Sequence, residues 1–260
     1  MQMRDIVKSK VTDSNLVGWR RAQFIEAAIE LFGRHGYHAT KMRDIAEKAG
    51  VSIGLIYQYV EDKEDVLFLA LIEVLDSYLR EIPAAIAEET EPLARFRRAV
   101  HAYCSVNDTN VDATVLAYRE TKSLVKARRN IIKQKELETN ELMASVVRDC
   151  VDTGQFEAVD IELFVYQIVM FSHAWALKAW HFRDLMTVNE YVERGLNLML
   201  NATLTPRGKR AYAALAMVPL PKVEKPARPP ASTKGERSAG AKKKSGAGRR
   251  PKGAIARRRG

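Results

Sequence analysis

Residues 40–63 read TKMRDIAEKAGVSIGLIYQYVEDK, and no other stretch constrains the fold as tightly. Gly50 follows one short amphipathic run and Ser52 precedes the next. A glycine suits the left-handed residue that ends a helix, and a serine hydroxyl caps a helix by accepting from its free N–H groups. Val51 before that cap and Ile56 four residues after it match a hydrophobic staple. Ile45, Ala49, Val51, Ile56 and Tyr59 fall where two such helices pack together, and Ala46 is small where they cross. The spacing predicts helices over about 42–49 and 53–59 joined by a tight turn. This is a helix-turn-helix, whose second helix lies in a DNA major groove.

Gly54 then needs a reason, because glycine inside a helix costs about 1 kcal/mol against alanine. Two readings stand. A missing side chain at the second helical position lets the helix end, capped by Ser52, approach a DNA backbone. Alternatively it relieves crowding against the first helix. Tyr57 and Tyr59 offer hydroxyls to phosphate or rings to the core. Thr40, Lys41 and Arg43 open the first helix on the DNA-facing side, and Lys63 starts the helix beyond, so these are candidate phosphate partners. Ile53, Leu55 and Gln58 are left for base edges: the aliphatic pair for thymine methyls, Gln58 for adenine N6 and N7.

The rest of the body reads as helix after helix. An apolar stripe at Ile25, Ala28, Ile29 and Phe32 marks 17–34, ended by Gly33 and Gly36. Asp62 and Asp65 form a capping-box pattern before a helix from Lys63 to about Pro83. Further helices are expected over 91–106, 111–124, 126–152, 160–183 and 188–202. No sustained period-2 alternation occurs, so the fold class is all-α. The run 160–183 is apolar nearly all round, which predicts a helix buried both on its own core and on a second copy of the chain. Phe164, Ile168, Phe171 and Trp175, with Tyr191, Leu196 and Met199 from 188–202, are the expected faces of a four-helix dimer interface. The organisation expected is a flexible arm (1–16), a DNA-binding domain (17–62), a helical sensing and dimerisation domain (63–205), and a linker with a disordered basic tail (206–260).

Composition narrows the function class. The 260 residues are 47% hydrophobic with a formal net charge of +10. Residues 222–260 hold fourteen Lys or Arg against two acids, so the body is close to neutral and the tail carries the excess. Such a tail is either a solubilising extension or a polyanion-binding arm. No apolar run reaches the ~18–20 residues of a membrane span. The N-terminus lacks a signal-peptide core, and two cysteines make no disulfide framework or zinc cluster, so a cytoplasmic protein, nucleoid-associated when on DNA, is expected. None of the five histidines lies in an H-E-x-x-H pattern, and no G-x-S-x-G or phosphate-binding glycine loop occurs. The chain therefore reads as a non-enzyme without cofactor or metal. The competing class is a nucleoid-type protein that coats DNA through its tail.

The segments AAIELFGRHGYHAT, RDIAEKAGVSIGLIYQYV and DKEDVL together resemble the N-terminal domain of TetR-family transcriptional regulators over about residues 20–70. The resemblance implies a three-helix DNA reader on a larger sensing domain, a homodimer on a pseudo-palindromic operator, and repression relieved by a small molecule. It implies phosphate contacts at Thr40, Tyr57, Tyr59 and Lys63; Lys41 stands where many members carry Ser or Thr. The run HAWALKAWHF is similar to members that sense fatty acids or acyl-CoA. On that reading Tyr103, Leu116, Arg119, Lys122, Met170, His173 and Trp175 line an apolar pocket with polar anchors, or are ordinary core. A ligand held between the helices of 91–183 is expected to move the helix from Lys63 and so change operator affinity.

Overall fold

Among the described residues, Asp13, Ser52, Asp62, Glu91, Asp160 and Thr187 each start a helix by accepting from its free N–H groups, which fixes where those helices begin. The computed structural model describes residues 6–215 and residue 220. α1 (Ser14–His35) starts where the Asp13 carboxylate accepts from the N–H groups of Asn15 and Leu16 at 3.0 and 3.1 Å. It runs through Gly33 and stops only at Gly36, at φ 84°. α2 (Met42–Lys48) and α3 (Ile53–Ile56) follow. α4 (Lys63–Ile86) opens on the reciprocal Asp62–Asp65 box and continues past Pro83 instead of ending there. It is the spine of the molecule, buried without a break from Asp65 to Ile72.

α5 (Pro92–Thr109), α6 (Val111–Glu120) and α7 (Lys126–Asp152) pack around α4, with a 3-10 turn at Thr121–Ser123. α6 touches both α1 of the reader and α8 (Ile161–Leu177) of the sensor. The expected single helix over 160–183 is two. It breaks at Lys178, and α9 (Ala179–Leu185) turns so that Phe182 stacks on Trp175 with centroids 6.2 Å apart and Arg183 pairs with Asp108. α10 (Val188–Leu200) carries a Thr187–Glu190 capping box.

Two ends differ from expectation. The stretch 206–215, expected to be linker, forms α11 (Pro206–Leu215). Gly208 there lies so close to the chain that a Cβ would sit 2.0 Å from the Gln155 carbonyl oxygen. The arm, expected to be flexible, is docked over residues 6–13. Val7 is buried, Lys10 N–H donates to the Gln58 carbonyl at 2.8 Å, and the Arg21 guanidinium donates to the carbonyls of Val7 (2.6 Å) and Tyr59 (2.9 Å). The basic stretch 222–260 lies outside the described residues. Among the described residues no helix is long and apolar enough to cross a membrane.

Candidate nucleic-acid interface and sensor interior

The turn chemistry is as the residues demand. Gly50 adopts φ 67°, and the Ser52 hydroxyl oxygen accepts from Leu55 N–H at 3.2 Å. Ile56 is fully buried beneath a half-buried Val51. α3 is shorter than the 53–59 expected: after Ile56 the chain tightens, with Tyr59 N–H donating to the Ile56 carbonyl at 2.9 Å. Gly54 sits at the second helical position, exposed, with no atom within 4 Å of the Cβ it lacks. Crowding against α2 therefore does not explain it.

Lys41, Arg43, Ser52, Ile53, Gly54, Tyr57 and Gln58 share this exposed region, and Leu55 is half-buried at its edge. Ile53 and Tyr57 are 43% and 40% exposed, high for large apolar side chains on so small a domain. Three expected phosphate contacts are turned inward instead. Thr40 is buried, its hydroxyl donating to the Gly36 carbonyl four residues back at 2.9 Å. Tyr59 is buried against Phe24, because it falls three residues after Ile56 on the packing face. The Lys63 ammonium donates to the carbonyls of Tyr37 (2.7 Å), Thr40 (2.9 Å) and His38 (3.2 Å) and lies 4.4 Å over the Tyr37 ring. A primary ammonium has three protons, and here all three close the α1–α2 loop. Sequence spacing signals the Thr40 and Tyr59 placements; nothing local signals that of Lys63.

In the sensor, the expected pocket residues form two linked groups. Tyr103 Oη lies 3.3 Å from His173 Nε2, and Tyr118 Oη lies 2.7 Å from His173 Nδ1 and 3.7 Å from Met170 Sδ. Tyr78 stacks on Tyr103 at 4.2 Å and donates to Asn107 Oδ1 at 2.8 Å. Burial pulls the His173 pKa down to about 4, so the ring is neutral at neutral pH, and burial pushes the Tyr103 hydroxyl well up. His173 and the tyrosines thus form a neutral aromatic and hydrogen-bonding cluster, with the Glu136 carboxyl, its pKa raised by burial, close enough to act on Tyr103 and Tyr118. Leu116, Arg119 and Lys122 instead line an open cleft of about 740 Å³ between α1 and α6, with Tyr118 on its wall. Trp175 belongs to neither: it is buried between Phe182 and Tyr191, its indole N–H donating to Asp108 at 3.0 Å. Tyr118 is the residue that sequence reasoning missed, and its i+2 offset from the buried Leu116 gives no hint of its role.

The residues of the expected dimer face pack on the protomer's own core. Ile168, Trp175, Tyr191 and Leu196 are buried within the protomer, while Phe164, Phe171 and Met199 are half-buried and packed on the same core. The opposite side of α8 is the open one: Leu163, Met170 and Tyr166 are 59%, 49% and 42% exposed, and Leu198 of α10 is 79% exposed. An amphipathic helix presents its richer stripe to its own core. The stripe through Phe164, Ile168, Phe171 and Trp175 is the richer.

This architecture matches known proteins. Residues 24–70 match the family model "Bacterial regulatory proteins, tetR family", and residues 89–178 match "Tetracyclin repressor-like, C-terminal domain". The chain is 50% identical over 213 residues to the HTH-type transcriptional regulator HbdR of Aromatoleum sp. strain CIB, covering 82% of this chain and 93% of that one. It is 26% identical over 145 residues to the fatty acid metabolism regulator protein of Bacillus subtilis strain 168, covering 54% and 73%. A crystal structure of a tetR-family bacterial regulatory protein from Rhodococcus RHA1 superposes with a TM-score of 0.64 at 25% identity, over 70% of this chain and 95% of that one. None of these similarities supports the nucleoid-type reading. With a helix-turn-helix reader, a helical sensor, matches to both family models and 50% identity over 213 residues to a transcriptional regulator, this chain belongs to the TetR family of transcriptional regulators.

Proposed function

We propose that the protein is a homodimeric repressor that reads a pseudo-palindromic operator and is released by a small, apolar or acyl-type effector held in its sensor. The observation that carries the DNA half is the exposed surface of Lys41, Arg43, Ser52, Ile53, Gly54, Tyr57 and Gln58 around a glycine with open space beside it. Lys41, Arg43 and Tyr57 are phosphate partners on this reading, and Ile53 and Gln58 reach base edges.

The homodimer reading rests on α8. Its outward face offers Leu163, Tyr166 and Met170 within two turns, and Leu198 of α10 is exposed too. A twofold pairing buries each of them twice. The effector reading rests on the uncharged Tyr103–His173–Tyr118 cluster and on the likeness to a fatty acid metabolism regulator. Such a cluster accepts a neutral polar group more readily than a bare carboxylate, because a buried charge needs a paired one. Residues 222–260 add a sequence-independent phosphate contact through their net charge.

The test is selection of binding fragments from random DNA by the purified full-length chain, followed by titration of the recovered fragments over a salt series. A recovered pseudo-palindrome bound far more tightly than random duplex is the expected result; equal binding of both would refute sequence-specific repression. Deletion of 222–260 should flatten the salt slope. An unchanged slope would assign the tail no DNA role.

A further inference from the structure

The last carbonyls of a helix need donors that the helix itself cannot supply. In the turn that follows α3, the N–H groups of Gln58, Tyr59 and Val60 are spent on Leu55 and Ile56, and the carbonyls of Gln58 and Tyr59 are met from elsewhere. The N-terminal arm and the helix behind it meet both. Lys10 N–H donates to the Gln58 carbonyl at 2.8 Å, and the Ser9 hydroxyl donates to the same oxygen at 3.3 Å. The Arg21 guanidinium donates to the Tyr59 carbonyl at 2.9 and 3.1 Å and to the Val7 carbonyl of the arm at 2.6 Å. Arg21 is only 4% exposed, so one buried cation ties the arm, α1 and the end of the reading helix together.

The arm side chains alternate in direction, as they do in any extended chain. Val7 is buried, while Ser9 and Val11 are half-buried and joined by a bond from Val11 N–H to the Ser9 hydroxyl oxygen at 3.1 Å. Between them Lys8 and Lys10 are exposed. The inward residues fasten the arm, and the outward pair is two positive charges held in place. The acids nearby do not cancel them. Glu61 lies 4.0 Å from the Lys8 ammonium, with the two side chains 66% and 82% exposed, and so exposed a pair is readily exchanged for another anion. Asp13 is engaged at the start of α1.

The position of this pair is set by the backbone bond from Lys10 to Gln58. Gln58 lies on the exposed surface with Tyr57, Ile53 and Gly54. The major groove of B-DNA is about 12 Å wide and is walled by phosphates. A side chain standing beside one that reads a base edge therefore meets that wall.

We propose that the docked arm is a second DNA-contacting element, in which Lys8 and Lys10 bind the phosphate backbone flanking the bases read by α3, with Arg21 as the positioning residue that fixes the arm. This rests on the operator reading above and extends it to residues outside the helix-turn-helix. The contact adds affinity and register and carries no base information. It is separate from any contribution of residues 222–260, because its charges sit at the reader itself.

The experiment compares the full-length parent with a Lys8→Ala, Lys10→Ala double variant and a Lys8→Arg, Lys10→Arg double variant, all with the basic stretch intact. Each is titrated over a salt series on the DNA fragment selected by the parent, and on copies of it altered at single base pairs. Hydroxyl-radical cleavage maps the backbone covered, and melting of the free chains checks the fold. The alanine variant is expected to lower the slope of log K against log salt by about 0.9 for each lysine in each protomer. It should weaken all the altered fragments alike and lose protection at backbone positions flanking the bases read, with melting unchanged. The arginine variant should keep the parent's slope, because the charge is kept. An alanine variant with the parent's slope and footprint would overturn the arm contact and leave the operator reading standing. Lost discrimination at one base pair with the slope retained would overturn a backbone contact. Earlier melting, with the DNA loss merely following, would make the lysines part of the fold instead. A parent that selects no preferred sequence would refute the operator reading, and the arm contact with it.

Discussion

Replacing Gly54 by alanine separates DNA approach from folding at a single atom. The added methyl meets nothing within 4 Å, and Gly54 is not among the glycines with positive φ, so the free protein gains no clash and no strain. Alanine is favoured over glycine by up to about 1 kcal/mol in a helix interior. α3 has only four residues and Gly54 is near its start, so roughly half of that is expected. On DNA the same methyl stands at the point of closest approach, where crowding a packed contact costs about 1–3 kcal/mol. Operator binding should therefore weaken by roughly 5- to 150-fold while urea unfolding shifts slightly to higher midpoint. Gly54→Leu should deepen the binding loss with little change in stability. The assay is fluorescence anisotropy on a labelled operator recovered by selection, beside urea melts of the free chain. A Gly54→Ala variant that binds like the parent would remove Gly54 from the interface. One that unfolds early, its DNA loss merely following, would show that the glycine serves packing.

Lys63→Gln should lower stability by about 1–3 kcal/mol, because three loop carbonyls lose a cationic donor; unchanged melting with a shallower salt slope of DNA binding would instead return Lys63 to phosphate contact. Leu163→Lys combined with Leu198→Lys should weaken dimers roughly 100-fold or more in sedimentation, since each side chain is lost twice across a twofold, and a dimer that survives intact would place the interface elsewhere. His173 is held neutral by burial, with a pKa of about 4 against an ordinary 6.5. The unfolded chain therefore binds a proton there at higher pH than the folded one, and stability is full above about pH 6.5 and falls as pH drops toward 4, by up to about 3 kcal/mol from this group. His173→Asn should flatten that part of the stability–pH curve; an unchanged slope between pH 6.5 and 4 would contradict a neutral buried His173.

Local chemistry made much of the reader legible. Gly50, Ser52, Asp62 and Asp65 act on backbone groups within about four residues of themselves, so their roles are written in spacing alone. The placement of Gly54 at the second helical position follows from the Ser52 cap in the same way. Thr40 and Tyr59 were half legible. A threonine four residues after a free carbonyl can satisfy it, and a tyrosine three residues after a buried isoleucine shares its face, but the same residues also suit phosphate. The break at Lys178 and helix α11 were not legible, because each depends on a distant partner: Asp108 for Arg183, and the Gln155 backbone for Gly208.

The sequence by itself determined an all-helical chain, a helix-turn-helix with its caps, and a segment at 160–183 apolar nearly all round. Those properties arise from contacts between near neighbours and from periodicity. Only the tertiary structure decided that Lys63 closes a loop, that Tyr118 stands between an open cleft and a buried histidine, and which apolar side of α8 faces outward. These depend on which helices meet: α5 and α7 pack against one side of α8 and leave the other outward.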